Sequence, residues 1–458
     1  FHPLLRLPTK FIKIHQKQTL MKILKFGGTS VGSPQRMKDV CKLITDGQKK
    51  IVVLSAMSGT TNTLVEIADY FQKKNAEAAN NVINKLRRTY MKHVEELYET
   101  EEMAEKTKQL LNSVFSYLHS FQTVDFSETT SKAILAQGEI MSTNMVTNFL
   151  MEQGVKVHLI PAFEYMRLNE MGEPDMTHIQ EHLSAYLRKH ANFDLYITQG
   201  FICLNHNGEV DNLQRGGSDY TACLIGATLQ ASEIQIWTDI DGMHNNDPRI
   251  VNGTSPVRQL NFEEAAELAY FGAKILHPTC IQPARYAGVP VRLLNTMDPK
   301  APGTLINNDM TYGTIKAVAA KDNITAIKIV SSRMLLATGF LRKVFEIFET
   351  YNTSIDLVTT SEVGISLTID NTAHLDPILE NLKHYGTVEV DNDMCIICVV
   401  GDLRWTNVGF ETLAAKALSE IPLRMISYGG SNHNISFLVR ESDKKAALQA
   451  LSDELFNK

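Results

Sequence analysis

Lys25-Phe26-Gly27-Gly28-Thr29-Ser30-Val31-Gly32 follows an apolar run (Met21, Ile23, Leu24) and opens onto a helix-forming segment. Glycine lacks a Cβ, so its amide can approach an oxyanion closely, and a helix N-terminus just beyond favours negative charge. Ser33 suits the N-cap of that helix and Pro34 its first turn. Met37, Val40, Cys41 and Ile44 then recur at i, i+3, i+4 and i+7, the spacing of one buried helix face. Strand, diglycine turn and helix suit a phosphate-handling site, and equally a plain connection in any α/β protein. A Walker P-loop is excluded, because Lys25 precedes the glycines and no Gly-Lys-Ser/Thr closes the turn.

Around this stretch lie 458 residues, 44% hydrophobic and 21% charged, enough for two or three domains with sizeable cores. A net charge of −6 offers no polyelectrolyte footprint for nucleic acid, and the apolar runs fall short of a bilayer span. Small-molecule partners are therefore expected, with neither nucleic acid nor membrane. Six cysteines scattered among apolar neighbours suit a reducing, cytoplasmic compartment better than a disulfide framework. Cys395 and Cys398 have metal-ligand spacing, but on a strand positions i and i+3 face opposite sides, so no metal site is expected. Residues 1–20 carry Arg6, Lys10, Lys13 and Lys17 and no acid; they read as an extension ahead of the first strand or a remnant of expression, with a basic targeting segment as the alternative.

Ile51-Val52-Val53-Leu54 reads as a strand buried on both faces, ending in a hydroxyl-rich turn from Ser55 to Asn62. Ligands of open α/β sheets bind at the carboxyl ends of strands, so Ser55 and Thr61 are candidate substrate contacts; a satisfied, N-capping loop is the structural alternative. Residues 64–120 predict two or three largely surface-facing helices, and about 131–153 a further one carrying Glu139 amid Ile134, Leu135, Ile140 and Met141. A carboxylate in that setting needs a partner. Strand signals follow at 156–161, 195–200 and 233–238, and the alternation predicts a mostly parallel sheet covered by helices.

A second diglycine, Arg215-Gly216-Gly217-Ser218-Asp219, also opens onto a helix-forming segment. Thr238, Asp239, Asp241, His244, Asp247 and Arg249 fall in an irregular loop suited to a nucleotide and its metal. Lys274, set amid Ala273, Ile275 and Leu276, needs an anion. Pro, Gly and Asn interrupt the pattern over 298–312, and beyond it the chain repeats at 70 residues: Ile365-Ser366 with Ile435-Ser436, Gly339-Phe340 with Gly409-Phe410, Val330 with Val400. Each copy reads strand, helix, strand, strand, helix, which suggests a paired sensor module.

Together Lys25–Gly32, Arg215–Asp219, Thr238–Arg249 and Lys274–Pro278 resemble the aspartate kinases of the amino-acid kinase fold, with two C-terminal ACT domains. The resemblance covers residues 21–458. It implies an α/β three-layer sandwich with a mostly parallel sheet over 21–300, and two ferredoxin-like α+β ACT units within 301–458. The first of these is expected over about 324–393, and the second over about 394–458 with 313–322 as a candidate contribution. The implied reaction is phosphorylation of the β-carboxylate of L-aspartate by ATP with Mg²⁺, the entry to lysine, threonine and methionine synthesis. No dehydrogenase domain of the bifunctional relatives is expected within these residues.

An ionised carboxylate needs no general base, so the task is to bring an anion to a polyanion. A lysine about 4 Å from the transferring phosphoryl oxygens gains roughly 4 kcal/mol at an effective dielectric near 20. By resemblance Lys25, Asp219 and Lys274 are catalytic, and Thr61, Glu139 and Arg215 contact aspartate. Gly27, Gly28, Gly216, Gly217, Thr238, Asp239, His244, Arg249, Lys274 and Ile275 would line the nucleotide; the family often has Tyr where this chain has His244. Mg²⁺ would be held chiefly by the phosphates. Met334, Gly339, Phe340, Leu341, Ile355, Asp356, Thr360, Ser361 and Glu362 resemble the effector site of the lysine-inhibited class, with a homodimer or larger assembly formed through the ACT units. A related kinase acting on glutamate, acetylglutamate or a nucleotide is the alternative within the class, and a catalytically silent amino-acid sensor the alternative outside it.

Overall fold

The computed structural model describes residues 21–213, 216–272, 276–334 and 338–456; the basic segment 1–20 lies outside them. Two sheets organise the chain. The first contains β1 (Lys22–Phe26), β2 (Lys50–Leu54), β3 (Val157–Ile160) and β4 (Leu195–Gln199); a separate hairpin of β5 (Ile202–Leu204) and β6 (Val210–Asn212) follows. β7 (Glu233–Thr238), β8 (Gln259–Asn261), β9 (Val291–Asn295) and β10 (Thr304–Asn307) complete the first sheet, in the order β3-β4-β2-β1-β7-β9-β10-β8. All its pairings are parallel except β9 with β10. β10 lies beyond residue 300 yet pairs inside this sheet, so the Pro/Gly-rich stretch read as a boundary holds one more strand.

Strand alternation gives the sheet two buried faces. Ile23, Ile51, Val53 and Ile236 join a core with helices Met176–Lys189 and Gly217–Leu229. Leu24, Phe26, Val52 and Leu54 join another with helices Pro34–Ile44, Thr60–Gln72, Ala76–Leu97 and Glu101–Ser120. Helix on sheet on helix is the layering that the near-continuous apolar strands demand. The first helix starts as its residues dictate: the Ser33 side chain accepts from the Arg36 amide, and Met37, Val40, Cys41 and Ile44 are buried. The helix expected over 131–153 is two, Glu128–Leu135 and Gln137–Glu152, separated at Ala136.

The second sheet is wholly antiparallel and is built on two long strands, β11 (Ile315–Val330) and β14 (Thr387–Gly401). β12 (Val358–Thr360) and β13 (Gly364–Ile369) flank one end, and β15 (Met425–Tyr428) and β16 (Asn434–Arg440) the other, giving β12-β13-β11-β14-β16-β15. The two repeats therefore share one continuous sheet. Cys395 faces the core under helices Phe410–Ala417 and Lys444–Phe456, whereas Cys398 faces the core shared with the first sheet, as i and i+3 on a strand require. That second face, with Ala317, Ala319, Ile396 and Val400, packs against Ala265, Leu268 and Phe271 on and after helix Phe262–Tyr270. One helix thus connects the two sheets.

Candidate active site

The site assembles where β1, β2 and β4 end. Lys25 shares its strand face with Ile23 and points toward helix Gly217–Leu229, whose first turn carries Asp219. Lys25 Nζ lies 2.7 Å from Asp219 Oδ1, with the two side chains 12% and 13% exposed. A Cβ on Gly27 would sit 3.5 Å from Lys25 Nζ, so the bare backbone there keeps the ammonium reachable. Gly28 is more constrained: a Cβ would lie 2.8 Å from the Ala56 carbonyl oxygen, and its own carbonyl accepts from the Ser58 amide at 3.1 Å. The two turns meet through hydroxyls, because Ser55 Oγ donates to Ser218 Oγ at 3.0 Å.

Glu139 lies in the first turn of helix Gln137–Glu152 and is buried. Its Oε1 accepts from the Ala56 amide at 3.1 Å, while Oε2 is buried without a hydrogen-bond partner among the described residues. Burial pushes its carboxyl up to about 7, against the smaller lowering by the Ala56 amide. A half-satisfied carboxylate beside the strand ends suits a cationic ligand group. Gly138 makes this approach possible, since a Cβ there would be 2.7 Å from Ala56 Cβ. Thr61, half-buried, follows Thr60 on the neighbouring helix.

Gly216 has a left-handed φ of +78°, and a Cβ on it would meet Cys280 Sγ at 2.5 Å and His277 Cβ at 3.1 Å. Gly217 packs in the same way on Phe201. Arg215, Lys274 and Ile275 lie outside the described residues.

The expected nucleotide positions divide. Thr238 and Asp239 lie at the end of β7; the Thr238 carbonyl accepts from the Thr296 amide at 2.8 Å, and Thr296 Oγ1 meets Ser30 Oγ of the first glycine turn at 2.9 Å. His244 and Arg249 are engaged away from that turn. His244 Nδ1 lies 3.1 Å from Thr254 Oγ1, and burial lowers its imidazole below the usual histidine range. Arg249 forks onto Asp247 at 2.9 and 2.7 Å. Their loop is fastened to the second sheet, with Asn246 Nδ2 donating to the Leu448 carbonyl and the Val318 amide to that of Asn245.

Of the expected effector residues, Gly339 N-caps helix Phe340–Thr350 with φ +81°, Phe340 is buried, and Leu341 is exposed. Met334, Ile355 and Asp356 are partly buried, while Thr360, Ser361 and Glu362 are exposed. The Asp356 side chain itself is 1% exposed, and its Oδ1 is held by Lys321 Nζ at 2.6 Å and Tyr270 Oη at 2.7 Å. Neither Lys321 nor Tyr270 lies in a motif of its own; Tyr270 precedes the Phe271–Pro278 stretch and Lys321 falls in the first strand of the 70-residue repeat.

Comparison with known proteins agrees with this geometry. The amino acid kinase family matches residues 21–295, and an ACT domain model matches residues 397–455. Lysine-sensitive aspartokinase 3 of Escherichia coli is 34% identical over 449 residues, covering 95% of this chain and 99% of that protein. The crystal structure of E. coli aspartokinase III in complex with aspartate and ADP (R-state) superposes with a TM-score of 0.81 at 33% identity, covering 95% of this chain and all of that one. The same enzyme in complex with lysine and aspartate (T-state) gives 0.79 at 34% identity, with 95% and 99% covered. A largely buried lysine–aspartate pair between two glycine turns, on a mostly parallel sheet joined to an antiparallel one, is thus found in a chain that belongs to the aspartokinases of the amino acid kinase family.

Proposed function

We propose that the chain transfers the γ-phosphoryl group of ATP to the β-carboxylate of L-aspartate, giving 4-phospho-L-aspartate and ADP, the first step toward lysine, threonine and methionine. The observation that carries this reading is the Lys25–Asp219 pair, 2.7 Å apart beside both diglycine turns and linked through Ser218, Ser55 and Ala56 to Glu139. Lys25 neutralises charge as the carboxylate oxygen forms its bond to phosphorus and the bond to the ADP oxygen breaks. Asp219 fixes the direction of that ammonium. Gly27, Gly28, Gly216 and Gly217 let phosphates reach the backbone. Glu139 receives the amino group of aspartate on its buried Oε2, and Arg215 and Thr61 take a carboxylate. Mg²⁺, held chiefly by the ATP phosphates, would shield their charge.

L-Lysine is the proposed inhibitor, binding through Asp356 and Glu362 near the backbone of Gly339 to Leu341. The support is the E. coli relative that carries lysine sensitivity in its name and the buried Oδ2 of Asp356, which has no hydrogen-bond partner among the described residues. We assign 21–300 with the added strand β10 to catalysis and the rest to regulation, in a cytoplasmic homodimer or larger assembly joined through the second sheet. The test is to supply MgATP with a panel of amino acids, trap acyl phosphate with hydroxylamine, and repeat with lysine, threonine and methionine added. An aspartyl hydroxamate is expected with aspartate alone, and its absence overturns the reaction. Inhibition by threonine and not lysine overturns the effector while leaving the reaction standing.

A further inference from the structure

We propose that Tyr270 is a positioning residue that transmits ligand binding at Asp356 to the loop leading into Lys274, a role that rests on the reading of Asp356 as the effector acid. Tyr270 ends the helix between the two sheets, four positions before Lys274. Its Oη donates to Asp356 Oδ1 at 2.7 Å, and Lys321 Nζ donates to the same oxygen at 2.6 Å and to Asp370 Oδ2 at 2.9 Å. The Lys321 ammonium also lies 4.5 Å from the centre of the Tyr270 ring. One carboxylate oxygen of the regulatory sheet therefore holds both a phenol of the catalytic layer and an internal cation. The other, Oδ2, is buried without a hydrogen-bond partner among the described residues.

An ammonium arriving at Asp356 Oδ2 draws negative charge away from Oδ1 and so weakens its hold on Lys321 and Tyr270. A ligand shifts an equilibrium only through contacts that differ between two arrangements, and this shared oxygen supplies such a contact. The connection continues along the chain. Gly272 has φ +118°, and a Cβ on it would lie 2.0 Å from the carbonyl oxygen of Ala320, the residue before Lys321. Past residues 273–275, His277 and Cys280 press on Gly216, where the helix bearing Asp219 begins. A displaced Asp356 thus bears on Tyr270 directly and on Gly272 through Lys321 and Ala320, while His277 and Cys280 rest on the glycine turn at Gly216.

The test uses the full chain and Tyr270→Phe, which keeps the ring and loses only the hydroxyl, with Asp356→Asn and the double variant. Two readouts are taken: inhibition of steady-state aspartyl phosphate formation by lysine, and amide hydrogen exchange over residues 271–281. A phenol–carboxylate bond corresponds to about a tenfold equilibrium factor. Tyr270→Phe is expected to move the half-inhibiting lysine concentration about tenfold with kcat changed much less, and to speed exchange over 271–281 roughly fivefold or more. The double variant should exchange no faster than Asp356→Asn, the signature of a shared interaction. An unmoved lysine response, unchanged exchange, or additive effects overturn the proposal. Should the unsubstituted protein ignore lysine, the effector reading fails, and exchange with the double-variant comparison alone judges the Tyr270–Asp356 connection.

Discussion

Lys25 Nζ and Asp219 Oδ1 stand 2.7 Å apart, joining the end of the central strand β1 to the first turn of the helix that covers it. The helix N-terminus attracts anions, and the aspartate keeps the lysine beside it, so positive character is concentrated where phosphates would lie. Lys25→Ala should lower kcat about a thousandfold, the rate equivalent of the roughly 4 kcal/mol expected of a charge near the phosphoryl oxygens. KM for aspartate should change much less. Equal kcat with a raised KM would show that Lys25 only docks substrate.

Glu139 gives the site a pH dependence whose sign follows from burial. Its carboxyl is raised to about 7, so the empty site favours the protonated form, whereas an amino group is best received by the carboxylate. Aspartate binding must then release a proton below that value, and apparent affinity should be about tenfold weaker at pH 6 than at pH 8. In stability the sign is opposite: a raised carboxyl favours folding at low pH and loses that contribution as pH rises through 7. Calorimetric titration with aspartate across this range checks the first effect. Glu139→Gln should flatten it, and an unchanged slope in that variant would assign the proton elsewhere.

How far these features were legible depends on the range of the interaction that makes them. The first helix was readable because Ser33, Pro34 and an apolar face are local signals, and the opposite facing of Cys395 and Cys398 follows from strand geometry alone. Glu139 stood out as a carboxylate among apolar residues. Its partner, the Ala56 amide, did not, because a backbone donor leaves no mark in sequence. The break at Ala136 and the short strand β10 carry weak periodicity. Tyr270 and Lys321 look ordinary in their own segments; only the packing of helix Phe262–Tyr270 on β11 brings them to Asp356.

The loop from His244 to Val251 separates two roles by exposure. Asn246 is buried, donates to the Leu448 carbonyl at 3.0 Å and accepts from the Asp247 amide at 2.9 Å, so Asn246→Ala should cost about 1–2 kcal/mol by removing both bonds. Arg249 pairs with Asp247 at the surface, and Arg249→Ala should change stability by less than about 1 kcal/mol. If Arg249 also meets the nucleotide, that variant raises KM for ATP several-fold at unchanged urea midpoint. An unchanged KM confines Arg249 to its pair with Asp247.

Gly272 offers the sharpest separation of strain from contact. With φ +118° any side chain is strained there, and the Cβ would also fall 2.0 Å from the Ala320 carbonyl oxygen. That oxygen belongs to β11, whose backbone is held by β14 on one side, so it cannot swing aside like a flexible side chain. Gly47 provides the control: its φ is +78°, and a Cβ there meets nothing within 4 Å. Gly47→Ala should therefore cost only the left-handed backbone penalty, about 1–2 kcal/mol. Gly272→Ala carries a backbone penalty at least as large, because φ +118° lies farther from the left-handed well, together with a collision, and the two sheets must separate locally to relieve it. Its thermal midpoint should fall well below that of Gly47→Ala, and kcat should drop with it, since the same backbone leads into Lys274. Equal midpoints for the two variants would show that the seam between the sheets opens at little cost, and the close approach at Gly272 would then be incidental to catalysis.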